Sequence, residues 1–420
     1  MKVAIAGCIH GELDTVYEQL EQMEKQRGYK IDLLLINGDF QSIRNPNDFK
    51  CVCIPPKYRQ LGTFHQYYFG QRKAPILTIF IGGNHEASNY LITLPYGGWV
   101  APNIYYMGYS NIIQFNGLRI GGISGIFNRP HTDFGHFERL PMTEDTKRSA
   151  YHTRHLEAYR LMRIKQDLDI FMSHDWPSNI CHYGDLNGLL RRKPFFAPDI
   201  NSGKLGSPML DDLLTHLKPR YWFSAHLHVR FQADVAHDPE HYTKFLALDK
   251  CLPRRHYLEI IDIEPRKEAK EPGFFYDKEW LAALRVTNEF LSIDKYPERS
   301  IPDLWTDPES KVEDELPYVE EKFEDLRIPE NFQLSPPVFS DDDIDPGRTR
   351  NFINLQTKEF CDKLGVNDPM QLILELSKPK PNPEEILLSD EESESQEVKE
   401  VGPDEDLFFI DKSGDNLQRV

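Results

Sequence analysis

The sequence predicts a layered α/β protein with two stacked mixed β-sheets flanked by helices, then a mainly helical C-terminal extension and a disordered acidic tail. Three observations carry that expectation. Short apolar runs without polar alternation recur through residues 1–260, separated by stretches of helical spacing. Strands of that kind are buried on both faces and need helices or a second sheet to cover them. All 15 histidines lie at or before His256. Charge divides at the same place, with 30 Lys and Arg against 26 Asp and Glu in residues 1–260, but 19 against 41 in residues 261–420.

The elements follow in order. KVAIAG (2–7) reads as a buried strand, and LDTVYEQLEQMEKQ (13–26) as a helix with apolar residues three and four apart. DLLLING (32–38) and ILTIFIGG (76–83) are further buried strands. NIIQF (111–115), LRIGGIS (118–124), DIFMSH (169–174), YWFSAH (221–226), TKFLAL (243–248) and HYLEIIDI (256–263) complete the strands, with a helix near 144–162. Runs such as FFYDKEWLAALRV and NFINLQTKEFCDKLGV suit a packed helical extension up to about residue 370. From KPKPNPEE (378–385) the pattern stops, and residues 384–420 hold 13 acids against 3 bases. That composition predicts disorder. Ser389, Ser393 and Ser395 sit among acids, as acceptors for an acidophilic kinase or simply within a solubilising tail.

Composition excludes several classes. No run approaches the ~18 apolar residues that a membrane helix needs. The N-terminus meets His10, Glu12 and Asp14 too soon for a signal peptide. Six cysteines in 420 residues make no disulfide framework and point to a reducing compartment. The net charge of −18 disfavours a polyanionic partner, yet residues 1–260 are slightly basic, so binding there stays open.

The chemistry gathers at strand ends, where loops of an α/β sheet carry their sites. The strands end in Gly7-Cys8-Ile9-His10, Gly38-Asp39, Gly83-Asn84-His85-Glu86, His174-Asp175 and His226-Leu227-His228. Each alone has an ordinary explanation as a turn or a satisfied polar residue. Together they predict one site assembled from the loops of several strands. Several imidazoles beside Cys8, Asp39 and an amide exceed what one tetrahedral ion uses. Two ions sharing a bridging carboxylate account for the surplus, and such a pair activates water for attack at phosphorus.

These blocks resemble the calcineurin-like metallophosphoesterases, with their order D-x-H, G-D, G-N-H-[DE], H and G-H-x-H. Two positions depart: Ala225 replaces a Gly, and Cys8 replaces the first Asp. A thiolate is softer than a carboxylate and shifts preference toward Zn²⁺ or Fe²⁺. Within that superfamily, Cys8 and the stretches AGCIHGELD, INGDFQ, IGGNHEASNYL, PYGGWVAPNIYYMGYS, SHDWP and FLALDKCLP are similar to the RNA lariat debranching enzymes. The resemblance covers most of residues 1–255 and continues more weakly near 279–365.

The resemblance implies a metallophosphoesterase catalytic domain over residues 1–260, a C-terminal debranching-enzyme domain over 261–370 and an acidic tail over 371–420. It implies two divalent ions (Fe²⁺, Zn²⁺ or Mn²⁺). One lies among Cys8, His10, Asp39 and His228, and the other among Asp39, Asn84, His174 and His226. His85 is then the catalytic proton donor. Its substrate would be branched lariat RNA, cut at the 2′–5′ phosphodiester of an excised intron. The implied setting is mRNA processing in the nucleus, with or without shuttling, among spliceosome-associated partners and without a membrane. The resemblance places a lariat recognition loop at residues 126–143, IFNRPHTDFGHFERLPMT. Arg129, Phe134, His136, Phe137 and Arg139 could contact RNA there, or the phenylalanines could pack beneath a surface loop. Tyr105, Tyr106 and Tyr109 have no assigned role, and Arg191, Arg192 and Lys193 read as a solvated face or a phosphate contact. Two alternatives are a protein or nucleotide phosphatase on the same scaffold and an inactive RNA-processing adaptor.

Overall fold

The computed structural model describes residues 1–265, 271–307, 311–335 and 351–377. The acidic run 384–420 and its serines lie outside the described residues. Residues 1–377 form one compact unit. Segments 1–260 and 261–370, so different in charge, therefore share one core.

The strands are β1 (Lys2–Ala6), β2 (Leu33–Ile36), β3 (Thr78–Phe80), β4 (Gly98–Ala101), β5 (Ile104–Tyr106), β6 (Ser110–Phe115) and β7 (Leu118–Ile123). They continue as β8 (Ile170–Ser173), β9 (Tyr221–Ser224), β10 (Phe231–Ala236), β11 (Tyr242–Ala247), β12 (Leu258–Asp262) and β13 (Phe274–Tyr276). One sheet runs β12-β1-β2-β3-β5-β4, parallel from β1 to β5 with an antiparallel strand at each edge. The other runs β10-β11-β9-β8-β7-β6-β13, with β11, β9, β8 and β7 parallel. Both sheets are mixed.

Alternation along each strand divides the apolar residues between two layers. Val3, Ile5, Leu33 and Leu35 pack with Ile120, Ile170, Met172 and Phe223 in the shared interior. Ala4, Ala6, Leu34 and Ile36 face outward onto Leu13, Val16 and Leu20 of the helix Leu13–Arg27. Phe171, Trp222 and Phe245 of the second sheet take helices Pro208–Leu217 and Lys278–Val286 on their outer face. Inner strands such as β2 and β8 are thus buried throughout because each side chain meets a partner layer.

Four strands escape the apolar-run reading. β4, β5 and β13 are only 3–4 residues long, and β10 alternates buried with exposed residues as an edge strand does. The helix expected near 144–162 is two helices, Glu144–Ser149 and His155–Leu161. Among the described residues, the C-terminal extension carries helices Lys278–Val286, Val312–Lys322, Leu355–Leu364 and Pro369–Leu376 joined by irregular stretches, and the strand β13, which pairs with β6. Buried Arg119 of β7 clamps it there through Asp277 at 2.7 Å and Glu279 at 2.7 Å. Among the described residues, no helix is long and apolar enough to cross a membrane. All six cysteines are free.

Candidate metal centre

Beyond β1, β2, β8 and β9, the chain turns sharply and releases its polar residues at one end of the sheets. His10, Asp39, His226 and His228 all hold positive φ, between 47° and 57°. L-residues pay a steric cost there, and such strain persists only where the surroundings enforce it. Two glycines make room. A Cβ on Gly38 would stand 2.2 Å from His174 Nδ1, and one on Gly83 would stand 2.3 Å from Asp39 Oδ1.

The ligand atoms of Cys8, His10, Asp39 and His228 lie within 4.8 Å of one another. His10 Nε2 is 3.4 Å from His228 Nε2 and 3.8 Å from Asp39 Oδ2. The other carboxylate oxygen turns the opposite way. Asp39 Oδ1 is 3.5 Å from His174 Nε2, which is 3.2 Å from Asn84 Oδ1. His226 completes this second group, its ring centroid 5.0 Å from that of His174. His174 Nδ1 donates to the Asn37 carbonyl at 2.7 Å, which leaves the Nε2 lone pair facing the acceptor oxygens of Asp39 and Asn84. Acceptors aimed at one another need a cation between them, so the donor set fits metal on both sides of Asp39.

The electrostatics agree. Burial would raise the Asp39 carboxyl, but His174, His10, His85 and His226 around it hold it far below the ordinary range. Burial lowers His10, takes His174 down to about 4 and His228 down to about 3, so these rings are neutral at pH 7, the form that can donate a lone pair to a metal. Burial and the Asp39 charge push the Cys8 thiol well up. A thiolate at Cys8 therefore requires an adjacent cation.

His85 borders the cage, its ring centroid 5.6 Å from that of His10. Its Nδ1 donates to the Cys53 carbonyl at 2.8 Å, which fixes the ring and leaves Nε2 for other partners. Glu86, which strand-end reasoning left without a role, is buried and accepts from the Phe40, Gln41 and Gly83 amides at 2.8, 2.8 and 3.1 Å. It ties the Asp39 loop to the Asn84 loop. Burial and Asp39 push its carboxyl up to about 8.

Two family descriptions match this chain. Calcineurin-like phosphoesterase covers residues 1–230, and the C-terminal domain of lariat debranching enzyme covers residues 240–369. Lariat debranching enzyme A of Xenopus laevis is 49% identical over 380 residues, spanning 88% of this chain and 71% of that protein. The Homo sapiens lariat debranching enzyme is 44% identical, spanning 98% and 77%. That of Arabidopsis thaliana is 51% identical over 299 residues, spanning 70% of each. The chain belongs to the lariat debranching enzyme family.

In this family member the loop 126–143 is partly buried scaffold and partly open surface. Of the candidate RNA contacts, His136 is buried, stacked on Tyr109 at 4.1 Å, with its Nε2 3.0 Å from Glu157, a placement that anchors the loop. Arg129 and Arg139 are exposed. Phe134 and Phe137 are half-buried and meet edge to face at 5.9 Å. Both line a cavity of about 410 Å³ with His131, Arg148, His152 and Lys295. Lys295 sits 5.2 Å from the Phe134 ring centroid, and exposed Tyr296 meets the same ring edge-on at 5.3 Å. No sequence signal pointed to Lys295 or Tyr296, which lie far along the chain. Glu86 was visible as the last residue of the Gly-Asn-His-Glu block.

Proposed function

We propose that this lariat debranching enzyme hydrolyses the 2′–5′ phosphodiester at the branch nucleotide, with Asp39 as the bridging ligand of a dinuclear centre. The division of the Asp39 oxygens carries this reading: Oδ2 faces His10, and Oδ1 faces His174. Cys8, His10 and His228 would hold one ion with Asp39, and Asn84, His174 and His226 the other. The ions, when bound, polarise the phosphodiester and lower the pKa of water. Sulfur at Cys8 favours Fe²⁺ or Zn²⁺, with Mn²⁺ also suited to the imidazole and carboxylate donors.

The remaining chemistry belongs to the chain. With Nδ1 committed to the Cys53 carbonyl, His85 donates from Nε2 only as the imidazolium. Water oxygen bonds to phosphorus and releases a proton to solvent, the bond from phosphorus to the 2′-oxygen breaks, and the His85 proton goes to that oxygen. The products are a linear RNA with a 5′-phosphate and a free 2′-hydroxyl. Phe134 and Phe137 offer rings for unstacked bases, and Arg129 and Arg139 offer charge for phosphates. The substrate arises in the nucleus, so we place the enzyme there, in contact with spliceosome-associated proteins.

Purified protein given a branched 2′–5′ oligonucleotide and a phosphoserine peptide tests the reading. Turnover of the branched RNA that chelation abolishes and metal restores is expected. Faster turnover of the peptide would overturn it.

A further inference from the structure

The turns after β1 and β2 run side by side. The His10 amide donates to the Asp39 carbonyl at 2.7 Å, and the Gly11 amide donates to the Phe40 carbonyl at 3.2 Å. Gln41 is the next residue along the second turn. It is buried and holds a positive φ of 62°. Its amide donates to Glu86 Oε2 at 2.8 Å, and its carbonyl accepts from the Ile43 amide at 2.7 Å. Bonds on both sides keep the backbone in a region that is costly for any residue but glycine, so the direction of the side chain is enforced.

That direction is toward His10. The Gln41 carboxamide nitrogen stands 3.2 Å from His10 Nδ1, and among the described residues the side chain makes no other hydrogen bond. The opposite ring nitrogen, Nε2, faces the cage, 3.4 Å from His228 Nε2 and 3.8 Å from Asp39 Oδ2. A neutral imidazole has one N–H and one lone pair. For the lone pair to sit at Nε2 the proton must sit at Nδ1, where it needs an acceptor. His174 has an acceptor that can do nothing else, the Asn37 carbonyl at 2.7 Å. His10 has a carboxamide, which donates from one end and accepts at the other. A half-turn about the last side-chain torsion, a soft one, exchanges nitrogen for Oε1 and leaves the rest of Gln41 in place.

We propose that Gln41 is a positioning residue for the ion on the Cys8 side of Asp39: its Oε1 accepts from His10 Nδ1–H and so commits the His10 Nε2 lone pair to the cage. The role rests on the dinuclear reading above and adds to it a residue outside the ligand set. The same carboxamide turned the other way donates to Nδ1, which puts the ring proton on Nε2 and blocks that nitrogen as a ligand. The His174 side has no such alternative, because a carbonyl cannot donate. Gln41 therefore sets the affinity for one ion and leaves the other alone.

Two substitutions in the full chain separate hydrogen bonding from shape. Gln41→Met keeps the length of the side chain and removes the acceptor, whereas Gln41→Glu keeps the acceptor and removes the donor. Each protein is titrated with Co²⁺. Charge-transfer absorption from the Cys8 thiolate reports the ion on its side, and elemental analysis reports total cobalt. Gln41→Met should need about 10–100-fold more Co²⁺ than wild type to reach half of the thiolate band, with the other ion held as before. Gln41→Glu should need no more than wild type. Superimposable titrations of Gln41→Met and wild type would overturn the proposal. Equal weakening in both variants would overturn it too, since shape alone would then explain the loss. A wild type that binds fewer than two cobalt ions, or shows no thiolate band, would instead sink the ligand assignment above and the Gln41 role with it.

Discussion

The backbone amide of His85 donates to Asp39 Oδ1 at 2.8 Å. The proposed proton donor is thereby tied, through its main chain, to the carboxylate proposed to serve both ions. Because the bond uses no side-chain atom, it survives truncation of the imidazole.

His85→Ala should therefore keep its metal content while kcat on branched RNA falls about 10²–10⁴-fold, the range expected for loss of a positioned acid. Elemental analysis beside steady-state kinetics separates the two. Unchanged cleavage would remove His85 from the role.

Cys8→Asp should shift metal preference toward harder ions with little effect on the fold. Loading from an equimolar mixture of Zn²⁺, Fe²⁺ and Mn²⁺, read by mass spectrometry, reports the ratio. Since burial keeps the Cys8 thiol protonated, metal loading of wild type should release a proton that Cys8→Asp does not. Identical metal ratios and proton release in both would count against direct ligation.

Glu86→Ala leaves three buried amides without their acceptor. Loosening of the Asp39 and Asn84 loops should weaken metal affinity about 10–100-fold, the usual effect of removing a group that orients ligands. Activity should return at high metal concentration. A metal titration identical to wild type would show that the loops hold their shape without it.

Glu157 sits buried between His136 and Arg160. Burial would raise its carboxyl, but Arg160, His136 and Ser110 bring it down to about 2. A depressed acid contributes stability above its ordinary pKa and loses it as pH falls through the folded value. Wild type should thus lose about 3 kcal/mol between roughly pH 4.5 and 2, and Glu157→Gln should lack that component. Denaturant melts across that range measure it. Parallel curves for both proteins would refute the assignment.

Deletion of residues 384–420 should leave kcat on branched RNA unchanged within about twofold. All proposed ligands precede residue 229, and the compact unit ends at Ser377. A large fall in kcat would give the tail a part in catalysis.

The sequence by itself determined the layers and the chemistry. Apolar runs without alternation dictate strands covered on both faces, and Cys8, His10, Asp39, Asn84, His174, His226 and His228 stand at strand ends because turns there release side chains from the sheets. Short strands such as Ile104–Tyr106 leave too few residues for a periodic signal, and the three-residue β13 pairs with the distant β6. Tertiary structure alone decided which way each group faces. The two Asp39 oxygens part toward different imidazoles, His136 turns inward onto Tyr109 and Glu157, and Lys295 meets Phe134 across more than 150 residues of chain. Such pairings depend on side-chain direction and on contacts between distant segments. Residue type and local spacing carry neither.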